Sequence, residues 1–100
     1  MNYAVVLRAV ANNKRLQLLD WLKHPTKHFP PQRDGDLIED GVCGILIARK
    51  LKISQPTASE HLKILSQANL LKAKRKKGWT FYQRNESAIK KMKNAIVTRI

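Results

Sequence analysis

Two short runs of side chains hold most of the chemistry this chain can offer. Between Ser54 and Lys63 stand Gln55, Thr57, Ser59 and Glu60, groups of the kinds that read base edges. A glutamine amide pairs with adenine, hydroxyls serve several bases, and a carboxylate accepts from the amino group of cytosine. A carboxylate beside a polyanion is costly without that donor, so pairing with Lys63 is the other reading of Glu60. Lys63 and the Ser54 hydroxyl suit phosphate oxygens, and His61 is expected at the rim of a buried face, packed or touching phosphate. The second run, Lys74-Arg75-Lys76-Lys77-Gly78, sets four cations in a row, which neutralises phosphates whatever the sequence between them.

Other chemistries fail on spacing. There is no paired-carboxylate, nucleophile–base or phosphate-loop pattern, so no enzyme and no cofactor are expected. His24 and His28 are four apart, but Pro25 spoils the helix that would bring them together as metal ligands. Asp34, Asp36, Glu39 and Asp40 lack the alternation and terminal glutamate of a calcium loop. They read as an acidic solvated loop that offsets basic surface or meets a partner. Cys43 is the only cysteine, so no internal disulfide is available and a reducing cytoplasm is the expected compartment. Its plain reading is a partly buried small residue; the sharper one is a redox-sensitive thiol at a helix start whose oxidation weakens nucleic-acid binding.

Charge agrees with the polar runs. The 100 residues carry a formal +13, of which residues 1–40 contribute +1 (six Lys/Arg, five Asp/Glu) and residues 41–100 contribute +12 (fourteen against two). Such an excess marks an anionic polymer or surface as partner, and no long basic amphipathic helix favours a membrane. Apolar stretches fall far short of the ~20 residues that span a bilayer, and no export signal is visible. A soluble cytoplasmic protein is predicted.

The elements that must position these groups follow from periodicity. Residues 2–11 predict a first helix with Tyr3, Val6, Leu7 and Val10 on one side, closed by Asn12-Asn13. A second helix over 14–23 is expected to bury Leu16, Leu19, Leu22 and either Trp21 or Leu18 before Pro25 stops it. Residues 24–41 read as a long loop with one extended segment. Helix resumes over 42–51 with Ile45, Ala48 and Leu51 inward and Ile47 flanking, and Lys52-Ile53-Ser54 is a turn of helix-turn-helix length. Ser54 caps the next helix, Pro56 sits in its first turn, and Ala58, Leu62 and Leu65 form its core face opposite Pro56, Glu60, Lys63 and Gln67. Asn69 supplies a left-handed terminator. Residues 70–84 alternate as a hairpin, Asn85 caps a last helix, and Ile89, Met92, Ile96 and Ile100 stripe it.

The run from Leu51 to Leu71 followed by a basic hairpin with Trp79-Thr80-Phe81-Tyr82 resembles the winged helix-turn-helix of ArsR-type bacterial transcriptional repressors. The match is specific from Cys43 to Arg84, and the resemblance extends over the whole chain outside residues 24–41, a loop longer than compact members have. The resemblance implies a mainly helical α+β domain over residues 1–100 with a small β-hairpin. It implies a homodimer through the first and last helices (Val6, Leu7, Val10; Ile89, Met92, Ile96, Ile100). The helix over 55–68 would enter the major groove of double-stranded DNA, and the wing over 72–84 would reach the adjacent backbone or minor groove. Metal-sensing members carry Cys-x-Cys before the turn; here Cys43 matches the first, but Ile45 replaces the second. Residues 85–100 hold Glu86 as their only acid and no histidine. DNA reading is therefore carried over and metal sensing is not, which leaves open an unidentified small-molecule or redox inducer. The expectation is a repressor on a pseudo-palindromic operator; the alternative is a basic RNA- or chromatin-associated structural protein of little sequence specificity.

Overall fold

Asparagines start three of the helices. In the computed structural model, which describes residues 2–100, Asn2 caps α1 (Tyr3–Val10), Asn12 caps α2 (Asn13–Trp21) and Asn85 caps α6 (Glu86–Arg99). Each side-chain oxygen accepts from a first-turn backbone N–H that the helix itself leaves unpaired. The remaining elements are a short α3 (Pro25–His28), β1 (Val42–Cys43), α4 (Gly44–Leu51), α5 (Gln55–Gln67), β2 (Leu71–Lys76) and β3 (Trp79–Arg84).

The face α2 buries differs from the expected one. Arg15, Leu18, Leu19 and Leu22 point inward at spacing three and four, whereas Leu16 is 51% exposed and Trp21 is half-buried. Arg15 takes the stripe position, and a residue one step on falls about 100° away from it. Residues 24–41 are likewise not a plain loop. Pro25 opens the single turn of α3, and Phe29 behind it is buried with its ring edge-on to Trp21 at 6.3 Å.

The expected start of α4 at residue 42 is also corrected. Val42 and Cys43 pair with Tyr82 and Phe81, adding a third strand in the order β1-β3-β2, all antiparallel. With Val42 fixed inward by that pairing, the helix begins at Gly44; Ile47, Ala48 and Leu51 become the buried face and Ile45 stays half-exposed. Lys52 (φ 58°) ends α4 in a left-handed conformation, and Asn69 (φ 63°) does the same after α5. Lys77 and Gly78 form the two-residue connection of the hairpin with φ of 52° and 80°, the signature of a type I′ turn, which matches the strands' right-handed twist.

Register divides the hairpin into two faces. Lys72 opposite Gln83, Lys74 opposite Phe81 and Lys76 opposite Trp79 share one face; Leu71 with Arg84, Ala73 with Tyr82 and Arg75 with Thr80 share the other. The second face packs toward the helices. The first is covered by the end of the 24–41 segment, where Gly35 lies so close over Phe81 that the ring is fully buried. One apolar core runs from Val6 and Ala9 through Leu18, Ile47, Leu65 and Val42 to Ile89. Val6 and Ile89 are consumed inside the protomer, so their expected place on a free dimer face is corrected: the stripes of α1 and α6 turn these two positions onto the domain's own core.

Candidate nucleic-acid interface

The first two turns of α5 present the polar groups that the sequence singled out. Ala58, Leu62 and Leu65 anchor the helix in the core, which leaves Ser54, Gln55, Thr57, Ser59, Glu60 and Lys63 exposed. The Ser54 hydroxyl is occupied locally: it accepts from Thr57 N at 3.3 Å and donates to Thr57 Oγ1 at 2.9 Å. Ser54 thus serves α5 as a cap, and the Thr57 hydroxyl keeps its own proton for an outside acceptor. Among the described residues no ion pair joins Glu60 to Lys63. Both charged groups face solvent unpaired.

His61 does not reach this surface. Its Nδ1 lies 3.0 Å from Arg15 Nη1, so it accepts from the guanidinium and carries its own proton on Nε2. Burial first, and then the cations Arg15 and Lys14, push its pKa below the ordinary value, with Glu60 pulling the other way. Of the two expectations for His61, packed or touching phosphate, this geometry is that of the packed one, a contact between α5 and α2.

Arg15 itself extends the link. Nε donates to Ala9 O at 2.6 Å and Nη2 to Arg8 O at 3.0 Å, pairing carbonyls at the end of α1 that no further helical turn reaches. Arg84 has a similar role between strand and helices. Its Nη1 donates to Leu19 O at 2.9 Å while Nε and Nη2 grip both oxygens of Glu86 at 2.9 and 3.0 Å, and this grip holds the Glu86 carboxyl below its usual range. Neither arginine was singled out in the sequence, because each was counted only as basic charge.

The wing stands beside α5. Gln55 and Ser59 share a cleft of about 180 Å3 with Gly78, Trp79, Thr80 and Tyr82, and burial raises the Tyr82 phenol above its ordinary pKa. Trp79 follows the turn and is substantially exposed; an aromatic directly after a basic turn was the available signal. The four cations of the tip are not equivalent. Arg75 donates to Thr80 Oγ1 at 2.9 Å on the α5 side. On the other face Lys74 and Lys76 reach the two oxygens of Asp40 at 2.5 and 3.1 Å, and Lys77 lies 3.7 Å from Asp34. The acidic segment does offset basic surface, but Asp40 is buried rather than solvated. Cys43 is half-buried and precedes α4 instead of starting it; its N–H donates to Gln32 Oε1 at 3.0 Å.

A second exposed surface is apolar. Leu7 and Leu16 are exposed, as are Val97 and Ile100 at the end of α6, with Val10, Met92 and Ile96 half-buried between them. Arg99 ties this end of α6 to α1, its Nε donating to Tyr3 OH at 2.8 Å with the guanidinium over the ring. Leu16 and Val97 were not predicted here. Among the described residues no three metal-ligating side chains converge, and no helix is long and apolar enough to cross a membrane.

Comparison with known proteins agrees with this arrangement. Residues 42–73 match the model of the bacterial regulatory protein, arsR family. The chain is 45% identical over 95 residues to the HTH-type transcriptional regulator YbzH of Bacillus subtilis, covering 95% of each chain. It is 39% identical over 57 residues to the HTH-type regulator MJ1325 of Methanocaldococcus jannaschii, covering 56% of this chain and 64% of that one. Among solved structures it is similar to the homodimeric winged helix-turn-helix DNA-binding domain of Mb0332 from Mycobacterium bovis, with a TM-score of 0.66, 26% identity, and 96% of this chain and 76% of that one covered. NolR from Sinorhizobium fredii gives a TM-score of 0.62 at 27% identity, with 93% and 78% covered. An exposed polar helix start beside a cationic wing, on a chain this similar to such regulators, identifies a DNA-binding protein and not an enzyme: it belongs to the ArsR family of winged helix-turn-helix transcriptional regulators.

Proposed function

We propose that this regulator is a repressor that occupies a pseudo-palindromic operator as a homodimer, with α5 in the major groove of each half-site. The carrying observation is the division of α5, whose Ala58, Leu62 and Leu65 are buried while Gln55, Thr57, Ser59 and Glu60 stand exposed in its first two turns. Gln55 and Glu60 are assigned to base edges, Thr57 and Ser59 to base edges or neighbouring phosphates, and Lys63 to phosphate. Arg75 and Lys77 lead from the wing, since Lys74 and Lys76 are engaged with the buried Asp40 whereas the Lys77–Asp34 pair is longer, at 3.7 Å, and solvent-exposed on both sides. The core that runs from α1 to α6 supports residues 1–100 acting as one domain with 24–41 as an insertion. Leu7, Val10, Met92, Ile96 and Ile100, joined by Leu16 and Val97, form the apolar face assigned to the second copy.

Selection of genomic fragments with the purified protein, followed by footprinting, tests this reading. The expected result is two protected half-sites centred about 10 bp apart, bound ~10³-fold or more tightly than random duplex at physiological salt. Equal affinity for every duplex and for RNA would instead support a structural nucleic-acid protein.

A further inference from the structure

The wing carries four consecutive cations, and the fold withdraws two of them. Lys74 and Lys76 lie on the sheet face away from α5 and converge on the two oxygens of Asp40, whose side chain is only 6% exposed against 52% and 41% for the lysines. Asp40 is not placed there by chance contact. Its Oδ2 also accepts from Asp36 N at 2.8 Å, and Asp36 Oδ1 in turn accepts from Ile38 N and Glu39 N at 2.8 and 2.9 Å. Gln83 of β3 donates to Ile38 O at 2.5 Å, and Gln32 donates to Gly41 O at 2.6 Å while accepting from Cys43 N. Lys74 first, then the Asp36 N–H and Lys76, hold the Asp40 carboxyl far below the usual carboxylate range.

We propose that Asp40 sets the sequence-independent grip of this protein on DNA, by holding Lys74 and Lys76 in ion pairs so that the wing offers phosphate chiefly Arg75 and Lys77. The argument is one of net charge and of what separation would leave behind. Two ammonium groups around one carboxylate carry one net charge, not two. Moving either lysine onto phosphate takes one of two cationic partners from a nearly buried carboxylate, and moving both would leave that charge with the Asp36 N–H but no counter-ion, which is strongly unfavourable. A regulator gains from this restraint, because non-specific phosphate binding competes with its operator across the whole genome. Asp40 is thus a specificity-determining residue that acts through Lys74 and Lys76 without touching DNA. The inference rests on the wing meeting the DNA backbone as proposed above.

The test is the salt dependence of binding to a labelled random-sequence duplex between about 50 and 200 mM KCl, where each phosphate neutralised contributes about 0.9 to the log–log slope. Asp40→Asn should steepen the slope by about 0.9 if one lysine charge is released and about 1.8 if both are; the smaller gain corresponds to about eightfold tighter non-specific binding at 0.1 M salt. Lys74→Gln with Lys76→Gln should lower the slope by at most about 0.9 in the native background, and by about 1.8 in the Asp40→Asn background, where both ammonium groups are free. An unchanged slope in folded Asp40→Asn would overturn the proposal. So would a loss of about 1.8 on removing both lysines with Asp40 in place, a result that does not depend on the aspartate variant folding. A native protein with no salt-dependent duplex binding would instead refute the DNA-backbone reading of the wing.

Discussion

Replacing Arg15 with methionine keeps a long apolar stem in the core and deletes three donors. The Ala9 and Arg8 carbonyls lose their partners at 2.6 and 3.0 Å, and His61 loses the N–H at 3.0 Å. The Ala9 oxygen faces a buried donor, so its loss carries most of an unsatisfied group's penalty of about 1–3 kcal/mol; the other two sites are part-buried and recover some hydration. The total is about 3 kcal/mol, a large share of the 5–15 kcal/mol typical of a domain. At about 4–8 °C per kcal/mol for a chain of this size, melting should fall by about 12–24 °C. Urea unfolding followed by circular dichroism at pH 7.5 should show a lower midpoint at unchanged m-value. Arg15→Lys should recover less than half of the loss, because one ammonium cannot span the fork of acceptors. Arg75→Met, the same change on the exposed wing, should cost under about 0.5 kcal/mol of stability. If Arg15→Met cost less than about 1 kcal/mol, Arg15 would not be the bolt joining α1, α2 and α5.

Protonation of His61 should weaken the fold. Its pKa is lowered in the folded state, so the unfolded chain binds the proton more readily; stability is full above about pH 6.5 and is lost as pH falls from there toward the lower folded value. Urea midpoints at pH 7.5 and 5.5 should therefore differ more in the native protein than in His61→Gln, whose amide oxygen still accepts from Arg15, and equal differences would contradict the sign. Leu7→Glu with Val97→Glu should halve the sedimenting mass at micromolar protein while leaving monomer stability within about 0.5 kcal/mol, since both are exposed in the protomer; persistence of the dimer would move the interface elsewhere. Gly35→Ala should cost about 1–3 kcal/mol, because the added methyl drives into the Phe81 ring, and an unaltered melting temperature would show that the segment over Phe81 yields freely.

How much of this was legible follows from range along the chain. Ser54, Pro56 and the Ala58, Leu62, Leu65 stripe were readable because caps and helical periodicity act over a few residues, and Asn69 and Asn85 were readable for the same reason. β1 was not, since two residues have no period and become a strand only by meeting Phe81 and Tyr82 some forty positions later. Leu16 was misplaced because hydropathy ranks leucine above arginine for the inward position, whereas Arg15 finds three acceptors there. The candidate site divided likewise. Its polar helix face was visible in the sequence, but the engagement of Lys74 and Lys76 depends on Asp40, 34 and 36 residues earlier, and no local pattern links them.

The cover that residues 35–41 place over Phe81 changes how the wing should unfold. A two-stranded hairpin is marginal alone and would ordinarily fray from its tip. Here β3 is flanked by β1 as well as β2, Gly35 seals its central aromatic, and Gln83 donates to the covering backbone. Opening β3 requires lifting that cover, so the amides of the two segments should exchange with solvent as one cooperative unit. The arm proposed to meet DNA and the stretch of chain that read as a loop insertion should therefore share a single opening free energy.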